Sequence, residues 1–257
     1  MKKVCISIDV EPDLHTETYN SLKNIPSLLN LFKKYKVRAT FFVTCDCVKK
    51  NEKLFKKIKS EGHELELHGY VHKRFDDLSK KEKDYHLKSS KKYLKTSLGI
   101  VPIGFRAPQH SINEEGINAL LKNNFKYDSS LTPWNLYHLL FFWKTKLNFF
   151  DNFKRMKIHK EKGILEIPLS SFILPFASIT LRVLPTPLLK IYLHLISTLS
   201  NPVFLMHSWD ITEVKKSKLY QWCPKDKFLK KFEYMLKFFS KRKRFSGMSE
   251  IIESNPN

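Results

Sequence analysis

The sequence predicts an α/β fold in which parallel strands are flanked by helices. Over the first two thirds of the chain, short apolar runs alternate with amphipathic segments of helical periodicity. The helical segments stop at glycines such as Gly62 and Gly99. Acids and histidines follow the strand-like runs, at the edge where α/β proteins build their sites. This alternation implies either an open doubly wound sheet or a barrel.

The predicted elements follow one another in a regular order. Five runs rich in apolar residues are predicted as strands: residues 4–9, 39–44, 63–68, 103–108 and 125–130. Four amphipathic segments between them are predicted as helices: residues 21–36, 51–62, 78–99 and 113–124. The tail adds a helix over 225–243 and a short closing segment over 244–253.

Two segments interrupt this rhythm. Residues 131–163 contain two tryptophans and a basic stretch, which we interpret as an insertion or lid over the site of a single domain spanning 1–257. Residues 164–207 are strongly apolar, but prolines and two cations divide them before any run reaches the ~18–20 residues of a membrane span. We expect barrel wall and core helix here, with a segment lying on a membrane surface as the alternative.

The composition is strongly basic. The chain has 257 residues with 46 Lys and Arg against 25 Asp and Glu, a formal charge of +21. Such a charge attracts polyanions such as nucleic acid, anionic lipid or phosphorylated substrates. No basic-aromatic platform or motif indicates a nucleic-acid partner, so we expect none.

Cysteine usage and the amino terminus predict an intracellular protein. The four cysteines form no C-x-x-C pair, so we expect reduced structural thiols rather than a metal or redox pair at Cys45 and Cys47. The apolar stretch before the first acid is shorter than the about 7–15 residues of a signal peptide. We therefore expect a cytoplasmic location, with peripheral membrane contact as an option.

The opening stretch ISIDVEPD crowds three carboxylates at a predicted strand end. On an extended backbone Asp9, Glu11 and Asp13 would point to one side, although Pro12 can redirect Asp13. Carboxylates this close repel one another unless a cation or a buried arginine lies among them. The alternative is a solvated acidic turn.

The stretch HGYVH follows the third predicted strand. A spacing of four places His68 and His72 on one side of a helical turn, within reach of a single metal ion. Two imidazoles and one carboxylate leave coordination positions open for water and substrate, as a hydrolytic metal site requires.

Further polar side chains end other predicted strands. Arg106, two residues before Pro108, can pair with a carboxylate and keep it ionised. Asp128 ends the fifth strand, and His207 follows a later apolar run, where it can serve as a general acid near neutral pH.

This ordered set of motifs resembles the polysaccharide deacetylase family, also called the nodulation-type deacetylase domain or carbohydrate esterase family four. The opening acids, ATFFVT, GHELELHGYVH, FRAP and FLMH match its pattern across about residues 3–210, and GMSEIIE is similar to the family's end. The resemblance implies a distorted (β/α) barrel with about seven strands. It also implies hydrolysis of an N-acyl group on a sugar with a divalent metal, expected to be zinc.

The resemblance also implies roles for individual residues. Asp9 matches the catalytic base, Arg106 the residue that orients it, and His207 the acid. The metal ligands would be Glu11, His68 and His72, and supporting or substrate-contacting residues would be Asp13, Asp128, Pro108 and Trp209. The family's usual opening has two adjacent aspartates, whereas this chain has D-V-E. That departure leaves open whether Glu11 or Asp13 is the acidic ligand, and we favour Glu11.

The expected substrate is an N-acetylated amino sugar in a glycan, glycolipid or sugar-nucleotide precursor. A related alternative is hydrolysis of another amide, such as a formyl group on a lipid-linked sugar or a cyclic ureide. A different class is a metal-free sugar-binding relative that has lost its chemistry.

Overall fold

The computed structural model describes residues 2–132, 157–214 and 217–253. Its strands are β1 (Lys3–Val10), β2 (Thr40–Val43), β3 (Glu64–Leu67), β4 (Gly104–Phe105), β5 (Tyr127–Asp128), β6 (His159–Glu161), β7 (Ile164–Glu166), β8 (Val203–His207) and β9 (Arg244–Phe245). Its α-helices are α1 (Ile25–Tyr35), α2 (Cys45–Lys50), α3 (Glu52–Ser60), α4 (Lys80–Leu98), α5 (Glu114–Lys122), α6 (Ser178–Val183), α7 (Thr186–Ser197), α8 (Lys218–Trp222), α9 (Lys225–Ser240) and α10 (Met248–Glu253). Short 3-10 helices cover Asn20–Asn24, Pro108–His110 and Ser208–Ile211.

The strands form one curled sheet in the order β6-β7-β5-β4-β3-β2-β1-β8, with β9 beside the start of β1. Every pairing is parallel except that of β6 with β7. The predicted α/β barrel is confirmed, and its path contains eight strands where the sequence predicted about seven. The additional strand, β6, lies within residues 131–163, the segment expected to be an insertion. The chain turns at Gly163, and β6 therefore pairs antiparallel with β7.

An irregular segment rather than a regular strand joins the two ends of the sheet. After β7, the backbone N–H of Ile167 donates to the backbone carbonyl oxygen of Asp128, at the end of β5, over 2.9 Å. The N–H of Ser170 then donates to Val203 over 3.2 Å, and that of Leu205 donates to Phe176 over 3.0 Å. The segment therefore lies against β8 and brings the polar ends of β5 and β8 to a common rim.

Side chains of β1 divide strictly by position. Its even-numbered residues, such as Ile6 and Ile8, belong to the apolar cluster beneath the helices. Beyond the half-buried Lys3, its odd-numbered residues, Cys5, Ser7 and Asp9, are also buried but face the interior of the curled sheet. Because side chains alternate along a strand, the inward-facing residues of β1 continue to its carboxyl end, at the edge of the sheet where Asp9 lies.

The closing segment seals the opposite end. The Glu64 carboxylate accepts hydrogen bonds from Thr40 Oγ1 over 2.9 Å and from the Ser249 backbone N–H over 3.2 Å. A Cβ on Gly247 would lie 2.0 Å from Glu64 Cδ, so a side chain at this position would displace the Glu64 carboxylate from these bonds. With the amino-terminal end closed by α10, the polar rim at the carboxyl end is left for the site.

Several local features differ from the sequence expectation or complete it. The helix α2 was not predicted; it places Cys45 and Cys47 in the core, where all four cysteines are buried and unpaired, as expected for structural thiols. Residues 164–207 form β7, the irregular segment that joins the two ends of the sheet, α6, α7 and β8. Within the part of the chain that the structure describes, no helix combines the length and apolar character needed to cross a bilayer.

Candidate active site

Three side chains meet above the carboxyl ends of β1 and β3. Glu11 Oε2 lies 2.8 Å from His72 Nε2 and 3.1 Å from His68 Nε2. The three potential ligand atoms all lie within 4.8 Å of one another. Two imidazole nitrogens and one carboxylate oxygen form a donor set that suits a divalent metal ion.

The tautomer of His68 is fixed by the backbone. Its Nδ1 lies 2.8 Å from the carbonyl oxygen of Arg106. A carbonyl oxygen only accepts, so Nδ1 carries the proton, and in the neutral ring Nε2 presents a lone pair toward Glu11. Acceptor atoms thus converge on one point, an arrangement that a bound cation would satisfy.

A bend, not a helical turn, brings His72 back to His68. The chain turns at Gly69, whose φ is +100°, a left-handed conformation that favours glycine. A Cβ there would lie 3.0 Å from Val71 O and 3.3 Å from Pro108 Cγ. The expectation of a helical turn was therefore wrong, and Pro108 contributes by packing against this bend.

Asp9 and Arg106 form a buried ion pair beneath the cluster. Arg106 NH1 donates to Asp9 Oδ1 over 2.6 Å and to Ser7 Oγ over 3.0 Å. The rest of the guanidinium donates to the carbonyl and hydroxyl oxygens of Ser129, each over 2.9 Å. Burial, the largest influence, would raise the pKa of Asp9, but the Arg106 charge together with the nearby histidines His68, His207 and His110 holds that pKa below its ordinary value. Asp9 is therefore a positioned, ionised carboxylate.

Glu11 is oriented from its other side. The indole Nε1 of Trp209 donates to Glu11 Oε1 over 3.0 Å, which leaves Oε2 directed at the histidines. Burial opposes ionisation of Glu11, yet His207 and then His68 lower its pKa well below the ordinary value. The carboxylate is thus anionic and fixed in position before any ligand binds.

His207 lies at the edge of the cluster, stacked on Trp209 with ring centroids 4.2 Å apart. Its Nε2 lies 4.0 Å from Glu11 Oε1, and its Nδ1 lies 3.7 Å from Asp210 Oδ2. Burial lowers its pKa, but the Glu11 charge and then Asp210 raise the net value to about 9. A protonated imidazole near neutral pH follows from this geometry.

Sequence reasoning missed Asp210. Its carboxylate accepts from the His207 backbone N–H over 2.8 Å and from the Tyr220 hydroxyl over 2.7 Å. It also pairs with the buried Arg182, whose NH2 lies 3.3 Å from Asp210 Oδ1. The only signal in the sequence is an acid three residues after the histidine, and its partner Arg182 lies 28 positions earlier.

Asp13 lies apart from the ligand cluster. Its Oδ2 accepts from Thr18 Oγ1 and from the Asn20 backbone N–H, both over 2.7 Å. Its Oδ1 accepts from the Ser21 N–H over 3.0 Å. These bonds hold the loop that leads into the first 3-10 helix, so the structure brings Glu11 and not Asp13 to the histidines.

Asp128 supports the wall of the site, together with a carboxylate that the sequence did not reveal. Ser130 Oγ donates to Asp128 Oδ1 over 2.7 Å and accepts from the Ala107 N–H over 2.8 Å. Burial raises the pKa of Asp128 to about 6. Neighbouring Glu166 accepts from the Leu131 N–H over 2.9 Å, and burial, then the Asp128 charge, raises its pKa well above the ordinary value.

Two cavities adjoin the site, and both are lined by His110 and Thr132. One, of about 290 Å³, has the polar residues Asp128, Ser130 and Glu166 in its wall. The other, of about 440 Å³, is mainly apolar and reaches His207. Its further lining residues include Leu169, Pro175, Ala177, Ile179, Leu205 and Trp209.

His110 is a second residue that sequence reasoning missed. It and Gln109 have φ values of +55° and +56°, which are uncommon for residues with a side chain. Its Nδ1 lies 3.1 Å from the Ser130 carbonyl oxygen, so the ring is anchored between the two cavities. Burial lowers the pKa of His110 to about 4, which leaves a neutral ring facing the site.

The predicted lid lies mostly outside the described residues, since 133–156 are not described. Of the remainder of that range, residues 159–161 form β6 within the sheet.

The chain is similar in sequence to known deacetylases. A family model described as polysaccharide deacetylase matches residues 2–127. A peptidoglycan deacetylase of Helicobacter pylori is 33% identical over 123 residues, which cover 48% of this chain and 42% of that protein. The chain thus matches less than half the length of this relative.

Solved structures share the fold. A Mycobacterium smegmatis protein assigned to the polysaccharide deacetylases superposes with a TM-score of 0.68 at 17% identity, covering 98% of this chain and 90% of that one. A carbohydrate esterase family four pseudoenzyme from Bacillus anthracis superposes with a TM-score of 0.57 at 15% identity, covering 97% and 64%. The same fold therefore occurs both in a protein assigned to the deacetylases and in a pseudoenzyme.

Proposed function

The chain belongs to the polysaccharide deacetylase family, and on this premise we propose that it is a metal-dependent hydrolase of an N-acetylated amino sugar. Its substrate would be a glycan, a glycolipid or a sugar-nucleotide precursor. The observation that carries the proposal is the convergence of Glu11, His68 and His72 beside the Asp9–Arg106 pair. A cytoplasmic location remains a prediction from the sequence.

The donor set fits a divalent metal ion, with zinc as our proposal. Glu11 and the two histidines would hold it, and the Arg106 carbonyl already fixes His68 with Nε2 toward Glu11. A bound cation would supply Lewis-acid polarisation of the acyl group and a lower pKa for water. Three protein ligands leave positions open for water and substrate.

Asp9 would act as the general base. Its carboxylate is kept ionised by Arg106 and lies with Oδ2 4.0 Å from His68 Nε2, at the edge of the ligand cluster. From this position Asp9 would take the proton of the attacking water, whose oxygen forms a bond to the acyl carbon. The ion pair with Arg106 would keep the Asp9 carboxylate in the orientation needed to accept this proton.

His207 would act as the general acid. The bond that breaks joins the acyl carbon to the sugar nitrogen, and an amine leaves only when it gains a proton. In the metal-free protein Glu11 and then Asp210 raise the pKa of His207 to about 9, and Asp210 would continue to favour the protonated imidazole when Glu11 holds a metal ion. The products are then acetate and the free amino sugar.

The test combines bound metal with released acetate. Purified protein is treated with a chelator, reloaded with zinc and assayed on acetylated chitooligosaccharides. We expect His72→Ala to lose metal affinity and activity by ~10–100-fold or more, while His194→Ala, an exposed histidine on α7, retains both. Full activity of the chelated protein would refute the metal dependence.

Two other functions remain to be separated from this one. Hydrolysis of a formyl or ureide amide would use the same residues, and a screen of N-acetylated and N-formylated sugar nucleotides and lipid-linked sugars identifies the acyl group. The other is a sugar-binding protein without activity, and the Bacillus anthracis pseudoenzyme is a family member without activity. The presence of all six predicted catalytic and ligand residues in one site favours an enzyme.

A further inference from the structure

One face of the protein gathers exposed apolar side chains. Among the described residues, ten large hydrophobic side chains are exposed, and seven of these lie between Phe172 and Trp222. We call them the apolar face: Phe172, Ile173, Val183, Leu188, Ile191, Leu195 and Trp222. Single exposed apolar residues are ordinary, whereas a group of this size indicates a binding surface.

Helix α7 provides the centre of the apolar face. Leu188, Ile191 and Leu195 follow one another at helical spacing, so they lie on one side of the helix. The other side is buried in the core through Leu189 and Leu193. A helix that is apolar on both sides is incompletely covered by its own fold.

Neighbouring elements extend this surface. Tyr192 Oη donates to Leu174 O over 3.0 Å, which places the loop containing Phe172 and Ile173 beside α7. At the start of α7, Lys231 Nζ donates to Leu184 O over 2.7 Å and lies 6.0 Å from the Trp222 ring. The seven side chains therefore belong to one region of the structure.

Positive charge predominates along most of the apolar face. No Asp or Glu occurs from residue 167 to residue 209. Lys190 on α7 and Lys227 on α9 are exposed, and within the described ranges neither forms an ion pair. Lys227 Nζ instead lies 4.9 Å from the Trp222 ring centroid. A surface whose main segment, residues 167–209, has apolar side chains and basic residues but no acids complements anionic lipid, and the exposed Asp226 beside Lys227 lies at its Trp222 end.

We propose that the apolar face docks on an anionic lipid bilayer. The apolar side chains would enter the boundary between head groups and acyl chains, with Lys190 and Lys227 at the level of the phosphates. A second copy of the chain is the less favourable occupant, because each copy carries a formal charge of +21 and these lysines would face each other.

The position of the apolar cavity extends the proposal to the substrate. Pro175 and Ile179 line the cavity that reaches His207, and both lie between Ile173 and Val183 of the apolar face. A sugar carried on a lipid in the same bilayer would thus be presented close to the site. This part rests on the proposed deacetylase function, whereas the docking itself does not.

The experiment is co-sedimentation of the full chain with vesicles of phosphatidylcholine containing about one third phosphatidylglycerol at low salt. We expect the wild type to sediment and the triple variant Leu188→Ser, Ile191→Ser, Leu195→Ser to bind about tenfold more weakly. The matched control replaces exposed hydrophobic residues elsewhere, Tyr85→Ser and Val101→Ser, and should bind like wild type. Lys190→Glu with Lys227→Glu should lose the preference over pure phosphatidylcholine.

Unchanged thermal unfolding of each variant shows that the fold is retained. The proposal is overturned if the wild type stays in solution, or if the triple variant binds vesicles as well as the wild type. It is also overturned if the triple substitution only dissociates a dimer in sedimentation velocity. Acetate release from soluble chitooligosaccharides, measured in parallel, tests the proposed function separately: if the wild type releases acetate but does not bind vesicles, only this inference is removed.

Discussion

Arg106 NH1 donates to Asp9 Oδ1 over 2.6 Å, between two side chains that are almost entirely excluded from solvent. This pair links the core of the curled sheet to the proposed chemistry, because the same guanidinium that satisfies the buried carboxylate also holds it ionised below the metal-ligand cluster. Each charge depends on the other, since an unpaired buried charge is strongly destabilising.

Replacing Arg106 should therefore affect both stability and activity. We expect Arg106→Met to lower the free energy of unfolding by about 3–5 kcal/mol, because Asp9 then stays buried without its partner. The double variant Arg106→Met, Asp9→Asn should recover part of that loss while remaining inactive. Urea unfolding of the two single variants and the double variant measures the coupling, and strictly additive effects would contradict a direct pairing.

Glu66 should make stability depend on pH. Burial raises its pKa from 4.5 to about 8, although its Oε2 accepts from the backbone N–H groups of Ile103 and Gly104. Because the folded-state pKa exceeds the unfolded one, the folded state binds the proton more tightly. The contribution of Glu66 is then fully present below about pH 4.5 and is lost as pH rises through about 8.

Glu66→Gln should remove this dependence, since the amide oxygen can accept the same two hydrogen bonds. At pH 9 the variant should be more stable than wild type by up to about 5 kcal/mol, and near pH 5 the two should be similar. Denaturation midpoints from pH 5 to 9 measure the difference. The exposed Glu17→Gln serves as the control, and a pH-independent gap between Glu66→Gln and wild type would contradict the raised pKa.

Metal binding should lower the pKa of His207. The metal-free value of about 9 depends chiefly on the anionic Glu11 among the groups that raise it. Zinc bound by Glu11 would neutralise that charge and place a cation nearby, which disfavours the imidazolium. NMR titration of the His207 ring with and without zinc measures the shift, and His72→Ala, which should bind zinc poorly, should show little change on adding it.

Asp210 should set the alkaline limb of activity. Asp210→Asn removes a negative charge 3.7 Å from His207 Nδ1, so the imidazole should lose its proton at a pH lower by about one unit or more. The alkaline limb of the kcat profile would move down accordingly, while the acid limb, assigned to Asp9, stays in place. Movement of both limbs together would indicate a general disturbance of the site. Tyr220→Phe, which removes only a hydrogen bond to Asp210, should leave the alkaline limb nearly unchanged.

The order of strands and helices could be predicted from the sequence because it depends on local periodicity. The alternation in ISIDVE placed Asp9 on the inward side of β1, and its continuation brought Glu11 to the strand end. The two histidines could be predicted as neighbours from their spacing alone. Their geometry could not, because the bend at Gly69 depends on its contact with Pro108, which lies 39 positions later in the sequence.

The sequence by itself determined the fold class, the strand-end location of the polar residues and the family resemblance, since these follow from short-range patterns. Only the tertiary structure places Glu11 rather than Asp13 beside the histidines, because the loop N–H groups around Asn20 donate to Asp13 while Trp209 orients Glu11 toward the histidines. It also revealed Asp210, whose contacts join β8 to α6 and α8. Such contacts arise when distant segments pack together, and no local pattern in the chain encodes them.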